Sequence, residues 1–208
     1  MTRPTLWIDV AVKAALVGLL LFSVASPDLP QFEGKAISGR AIGYPIAVLI
    51  VPAVWFAAGR ARGWAYPFAL DILFGLPFLI DTAGNTADLY DTIGWWDDAN
   101  HFVNWGILVA GFGQMLVRTP LTRWSAFGLA VGFGAVTAII WEYIEYVAFL
   151  RNSPELETAY TDTLGDLGFG LGGSVIAATL TVTVLWRGKR GDHSVEPPRS
   201  RLDLPSVH

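Results

Sequence analysis

Apolar residues run along this chain in six blocks, separated by short segments richer in charged residues, proline and glycine. The blocks extend approximately from Trp7 to Ala25, Ala41 to Ala58, Ala65 to Ile80, Ala99 to Val117, Trp124 to Leu150 and Leu164 to Trp186. A helix rising about 1.5 Å per residue needs about 20 mostly apolar residues to cross a hydrocarbon layer roughly 30 Å thick. All six blocks suit that purpose, the third being short and the fifth long. The pattern predicts an all-α, polytopic membrane helix bundle with six transmembrane helices, forming one domain over residues 1–186. Residues 187–208 are polar and proline-containing, and are expected to form a disordered tail.

Lys and Arg accumulate in cytoplasmic loops, so their distribution sets an expected orientation. One set of loops and ends holds Arg3, Arg60, Arg62, Arg118, Arg123, Arg187, Lys189 and Arg190, whereas the alternate set holds Lys35, Arg40 and Arg151. Both termini and the tail should therefore be cytoplasmic. The segment between the third and fourth blocks carries acids and no basic residue, and Trp95 and Trp96 stand where an interfacial aromatic belt would. Ser23-Val24-Ala25 ahead of Ser26-Pro27 also fits a signal-peptidase site. Against cleavage, the first block is long for a signal peptide and contains Asp9 and Lys13, so it is read as a retained span.

Composition narrows the chemistry. Of 208 residues, 53% are hydrophobic and 15% charged, which suits lipid rather than an ordinary soluble domain. A net charge of −4 excludes a nucleic-acid-binding surface as the organising feature. The absence of cysteine removes disulfides, thiolate ligands and thiol nucleophiles, leaving carboxylate and imidazole.

Those groups recur at helical spacing in three consecutive blocks. Asp97 and His101 are four apart, Glu142 and Glu145 three apart, and Asp162 and Asp166 four apart, so each pair shares one helix face. All lie near the outer ends of their helices. Like charges 4 Å apart repel by about 4 kcal/mol even at an effective dielectric near 20, and these helices offer no Lys or Arg at that depth. The neutralising species are then protons or one or two divalent cations. Carboxylates with one imidazole suit Mn²⁺, Fe²⁺, Zn²⁺ or Mg²⁺, and facing Glu and His side chains in helix bundles build carboxylate-rich metal sites. All six residues are candidate ligands, with Glu145 as the candidate general base. The alternative is that Asn100, Asn104, Thr163, Tyr143, Tyr146 and water satisfy the acids, partly protonated, in a packing role.

Lys13 and Asp71 stand at similar depth near the cytoplasmic ends of their helices and are expected to pair, with Asp9 four residues from Lys13. Asp81 is read as a boundary residue in preference to an added ligand, and Asp88, Asp91 and Asp98 as solvated loop acids rather than ligands. Gly128 with Gly132, and Gly168 with Gly172, form small-xxx-small patterns that would allow close helix approach.

The segments Trp96, Asp97, His101, Phe102, then Glu142, Glu145, then Asp162, Thr163, Asp166 resemble the YjdF-like family of bacterial inner-membrane proteins. A more distant similarity is to VanZ-like membrane proteins. The resemblance covers roughly Asp81 to Ala178, and departs from the pattern at Asp98, where a basic residue is expected, and Asn100, where glycine is. It implies a fold and a site rather than a reaction, and the VanZ-like similarity implies a link to envelope physiology. Three functions are open: a metal-dependent hydrolase of a lipid-linked or envelope substrate, a proton or divalent-cation transporter, and a non-catalytic envelope or lipid-binding protein.

Overall fold

A computed structural model describes residues 3–148, 150–152 and 154–186; the tail expected over 187–208 lies outside the described residues. Six long helices are present: α1 (Arg3–Ala25), α2 (Ile37–Arg62), α3 (Phe68–Thr86), α4 (Trp96–Leu116), α5 (Arg123–Ala148) and α6 (Ala159–Leu185). There is no strand among the described residues, and the all-α bundle expected from the apolar blocks is what is found. Five of the helices are long and apolar enough to span a membrane. At 21 residues α4 is equally long, but Asp97, Asp98, Asn100, His101 and Asn104 make its opening turns polar.

The inside and outside of the bundle are inverted relative to a water-soluble protein. Leu21, Ile42, Ile46 and Val184 point outward at 60% exposure or more, while Asp9, Asp71, Asp81, His101, Glu142 and Asp166 are buried. Apolar surroundings leave every polar group to be satisfied internally. Accordingly the hydroxyls of Ser23, Thr82, Ser174 and Thr181 each donate to a carbonyl four residues back in their own helix, at 2.7–2.9 Å.

Packing is uneven. α4 lies at the centre against α3, α5 and α6, and its most extensive contact is with α6; α1 covers α3, and α2 leans on α1 and α3. The α4–α6 approach is set by glycine. A Cβ on Gly173 would collide with the Phe102 carbonyl oxygen, and one on Gly134 of α5 would collide with the Ser174 hydroxyl of α6. Gly128, Gly132 and Gly168 have nothing within 4 Å of a Cβ position, so three of the four glycines expected to mediate close packing do not. Gly172 meets only the Phe102 ring at ordinary contact distance, 3.6 Å. Small-xxx-small spacing marks which residues share a face, not which face meets a neighbour.

Boundaries also shift. α3 continues to Thr86, six residues beyond the expected end at Ile80, which places Asp81 and Asn85 inside the helix and buried rather than at its boundary. α2 is irregular. Pro45 and Pro52 each lack an N–H donor, the helix is interrupted at Leu49, and it ends in wider turns over Trp55–Gly59.

Overpacking the α4–α6 contact should cost about 1–3 kcal/mol or more. Gly173→Val is therefore expected to lower the thermal midpoint of detergent-purified protein, or abolish its monodisperse peak, while Gly128→Val leaves both unchanged. Equal effects of the two substitutions would show that the glycine contact does not set the helix separation.

Candidate functional site

At the end of the bundle holding the outer loop acids, the sequence folds its polar residues inward. Asp97 and His101 sit on successive turns of the same face of α4, Glu142 and Glu145 project from α5, and Asp166 projects from α6. The imidazole is central. Its Nε2 lies 3.6 Å from Oδ1 of Asp97 and 3.6 Å from Oδ1 of Asp166, and its Nδ1 lies 3.7 Å from Oε1 of Glu142. Donor atoms of Asp97, His101 and Asp166 all fall within 4.8 Å of one another, as do those of His101, Glu142 and Glu145. Five of the six candidate ligands are thus brought together by three helices.

Asp162 is not among them. It is exposed and belongs to neither group, because one helical turn nearer the α6 terminus carries it past the packed region. Asp98 is half-buried facing α6, with its Oδ1 about 3.5 Å from where a Cβ of Gly165 would be. Asp91 is exposed and pairs with Lys35 at 2.8 Å, as a solvated loop acid does.

A hydrogen bond needs roughly 2.7–3.2 Å between heavy atoms, so contacts of 3.6–3.7 Å do not satisfy the imidazole directly. Nδ1 of His101 and Oε1 of Glu142 are in fact buried without a hydrogen-bond partner. A buried polar atom left so costs about 1–3 kcal/mol. Two ligands each about 2.0–2.2 Å from a common ion stand about 3.3–3.6 Å apart at tetrahedral angles, which matches the Nε2 contacts.

Beside these acids lies a network that sequence spacing did not reveal. Arg40, counted among the outer loop cations, lies on α2 and points into the bundle, where it forms an ion pair with Asp81 of α3 and reaches Oε1 of Glu145 at 4.0 Å. Its guanidinium also donates to the Tyr44 hydroxyl, which donates to Asp81 at 2.6 Å. On the other side Tyr90 donates to Asp81 at 2.8 Å and accepts from Asn100, whose side-chain oxygen takes a hydrogen bond from Asn104 at 2.7 Å. Burial, and after it the neighbouring Asp81 carboxylate, pushes the Tyr90 hydroxyl well above the ordinary phenol range, so it remains a donor. Asp81, expected as a boundary residue, is instead the acceptor on which α2, α3 and the Tyr90 turn converge. No Lys or Arg lies in the three acid-bearing helices at this depth; the cation arrives from a fourth.

Trp96 departs from the belt expectation. Trp95 is 63% exposed, but Trp96 packs edge-on to Tyr90, 6.5 Å between ring centres, and over Gly84. At the opposite end Lys13 pairs with Asp9 at 2.7 Å and with Asp71, to which Tyr66 also donates. The expected Lys13–Asp71 pair is present.

A cavity of about 440 Å³ opens beside the cluster. Arg40, Asp81, Tyr90, Asp97, Asn100, His101, Asn104 and Glu145 line one end, and mostly apolar and aromatic side chains, with Thr137 among them, line the rest.

Fold and site together define a multi-pass membrane protein with a buried carboxylate–histidine cluster at one end of a helix bundle. Residues 9–187 match the family model described as "Predicted membrane protein (DUF2238)", and the chain belongs to that family, which is the YjdF-like family whose motifs its sequence resembles. No curated protein and no solved structure matches it.

Removing one partner of a buried ion pair costs about 3–5 kcal/mol, because the other charge is left uncompensated. Arg40→Met should therefore destabilise strongly, and Arg40→Met combined with Asp81→Asn should recover most of the loss in thermal unfolding of purified protein. A double variant no more stable than Arg40→Met alone would remove Arg40 as the counter-charge of Asp81.

Proposed function

We propose that this chain binds one divalent metal ion between Asp97, His101 and Asp166, and uses it to hydrolyse a lipid-linked or phosphate-containing envelope substrate at the outer face of the bacterial cytoplasmic membrane, with both chain termini on the cytoplasmic side. The observation that carries the reading is the position of His101. Its Nε2 stands at ligand-to-ligand distance from two carboxylates of different helices. Its Nδ1 faces the unpartnered Glu142 oxygen.

An imidazole that binds an ion through one nitrogen ordinarily donates its other N–H to a carboxylate, which fixes the ring and raises its basicity. Glu142 suits that orienting role better than direct ligation, a reassignment that the spacing of residues along α5 could not supply. One imidazole with two aspartates fits Zn²⁺, Mn²⁺, Fe²⁺ or Mg²⁺. When bound, the ion supplies Lewis acidity and lowers the pKa of a coordinated water. In this reading Glu145, on the cavity wall one turn from Glu142, is the general base, and Arg40, also on that wall, offers a positive charge beside it. Transport is the weaker reading. Phe74, Leu108 and Phe133 line the cavity away from the acids, and Lys13, Asp9 and Asp71 are engaged with one another at the far end.

Elemental analysis of protein purified in mild detergent without chelator should find about one equivalent of a divalent metal, the occupancy of a single three-ligand site. His101→Ala and Asp166→Asn are expected to lose it, Asp162→Asn to keep it, and Glu142→Gln to weaken affinity about 10–100-fold, as loss of an orienting partner does. Wild-type protein that is metal-free and does not take up Mn²⁺ or Zn²⁺ would remove the proposal.

A further inference from the structure

The cavity beside the cluster changes character along its length. Helical rise places Asp81, His101 and Glu145 about 5–8 Å from the ends of α3, α4 and α5 nearest the cluster, and Phe74, Leu108 and Phe133 about 18–22 Å from those ends. The polar portion is therefore short and lies at interfacial depth, and the apolar portion reaches the middle of a hydrocarbon layer roughly 30 Å thick.

Its wall is also incomplete. α2 packs on α1 and α3, and α5 packs on α4 and α6, so no extensive helix contact closes the seam between α2 and α5. The two helices approach at Tyr44 and Trp141, whose ring centres are 6.2 Å apart. Ile50 of α2 and Ile140 and Ile144 of α5 line the cavity and are 50–52% exposed. Half-exposed side chains on a cavity wall mark its opening, and these three lie within the spanning lengths of α2 and α5, so the mouth opens sideways. What stands outside it is hydrocarbon, and the lining inside it is mostly apolar, with the Thr137 hydroxyl already donating to the Phe133 carbonyl, so water has few polar partners to fill the space. The interruption of α2 at Leu49, next to Ile50, lets this wall depart from a straight helix.

We propose that the α2–α5 mouth admits the hydrocarbon chain of a single membrane amphiphile sideways from the bilayer, bringing its head group to the Arg40, His101 and Glu145 end. A volume of about 440 Å³ lies within the ~300–1,000 Å³ of small-molecule pockets and suits one chain with part of a head group rather than a whole two-chain lipid. Binding of the chain stands on the shape and lining alone; the head-group chemistry rests on the metal reading above and names its substrate class as an anionic, phosphate-bearing amphiphile.

The test is photolabelling of the full chain in nanodiscs with an alkyl phosphate carrying a diazirine near its chain end, mapped by mass spectrometry. Label is expected on Leu108 and Phe133 as well as on outward-facing residues such as Val54. Ile50→Trp and Ile144→Trp, two separate substitutions at half-exposed positions, should each reduce interior label by about tenfold, equivalent to ~1.4 kcal/mol, with metal content unchanged. Competition by unlabelled polyprenyl phosphate against unlabelled alkyl phosphate then separates isoprenoid from acyl chains. Label confined to outward-facing residues, or interior label unaffected by both tryptophans, would overturn the proposal. Interior label that both tryptophans block, in protein that binds no metal, would uphold the mouth and refute the metal reading.

Discussion

Where the backbone of α4 crosses that of α6, the Phe102 carbonyl occupies the space that any side chain at Gly173 would need, and Gly106 lies 3.5 Å from the Gly173 carbonyl by the same measure. Helix association in lipid lacks a hydrophobic driving force and depends on close van der Waals approach, which small residues permit. Here that approach has a chemical consequence. His101 directly precedes Phe102 and Asp166 lies two turns before Gly173, so the separation of the two backbones sets the distance between imidazole and carboxylate. A helix pair spaced by larger side chains would hold the same two residues too far apart to share an ion.

The same bundle neutralises its buried acids in two different ways. At one end, Lys13 is shared between Asp9 and Asp71 with Tyr66 as an added donor, a set that ties α1 to α3 and leaves only Oδ1 of Asp71 without a hydrogen bond. Intramembrane ionisable groups are costly unless paired, and here a lysine supplies the counter-charge. At the other end Arg40 is committed to Asp81, held also by Tyr44 and Tyr90, and touches Glu145 only at 4.0 Å. Asp97, Glu142 and Asp166 have no Lys or Arg partner among the described residues. The contrast is between acids that share a lysine at one end and acids without a cation partner at the other.

Much of this could be read from the chain before folding. Six apolar blocks gave six helices, and spacing of three or four residues correctly placed Asp97 with His101 and Glu142 with Glu145. Periodicity describes one helix at a time, however. It could not say that Arg40 turns inward from α2, since its neighbours Ser38, Gly39 and Ala41 carry no sign of a buried face. The α3 boundary was misplaced because Asp81, Thr82, Asn85 and Thr86 read as loop by hydropathy, although each makes a side-chain hydrogen bond within the bundle. Asp162 and Asp166 are equivalent in sequence, and only the end of the packed region distinguishes them. Gly128 and Gly132 matched a packing motif on a face that meets nothing.

Charge finally limits what can occupy the cluster. Asp81, Asp97, Glu142, Glu145 and Asp166 would together bring five negative charges to a low-dielectric space, and Arg40 with one dication offsets three of them. Like charges at these separations repel by a few kcal/mol, so under the proposed function a metal and protons would share the neutralisation. Metal uptake at such a site releases protons from the acids it engages. An anionic head group arriving beside them would meet repulsion from the unneutralised acids and attraction from the ion and Arg40. Under the proposed function the order of binding follows from that balance: the ion would be in place before a phosphate-bearing chain end is drawn to this end of the cavity.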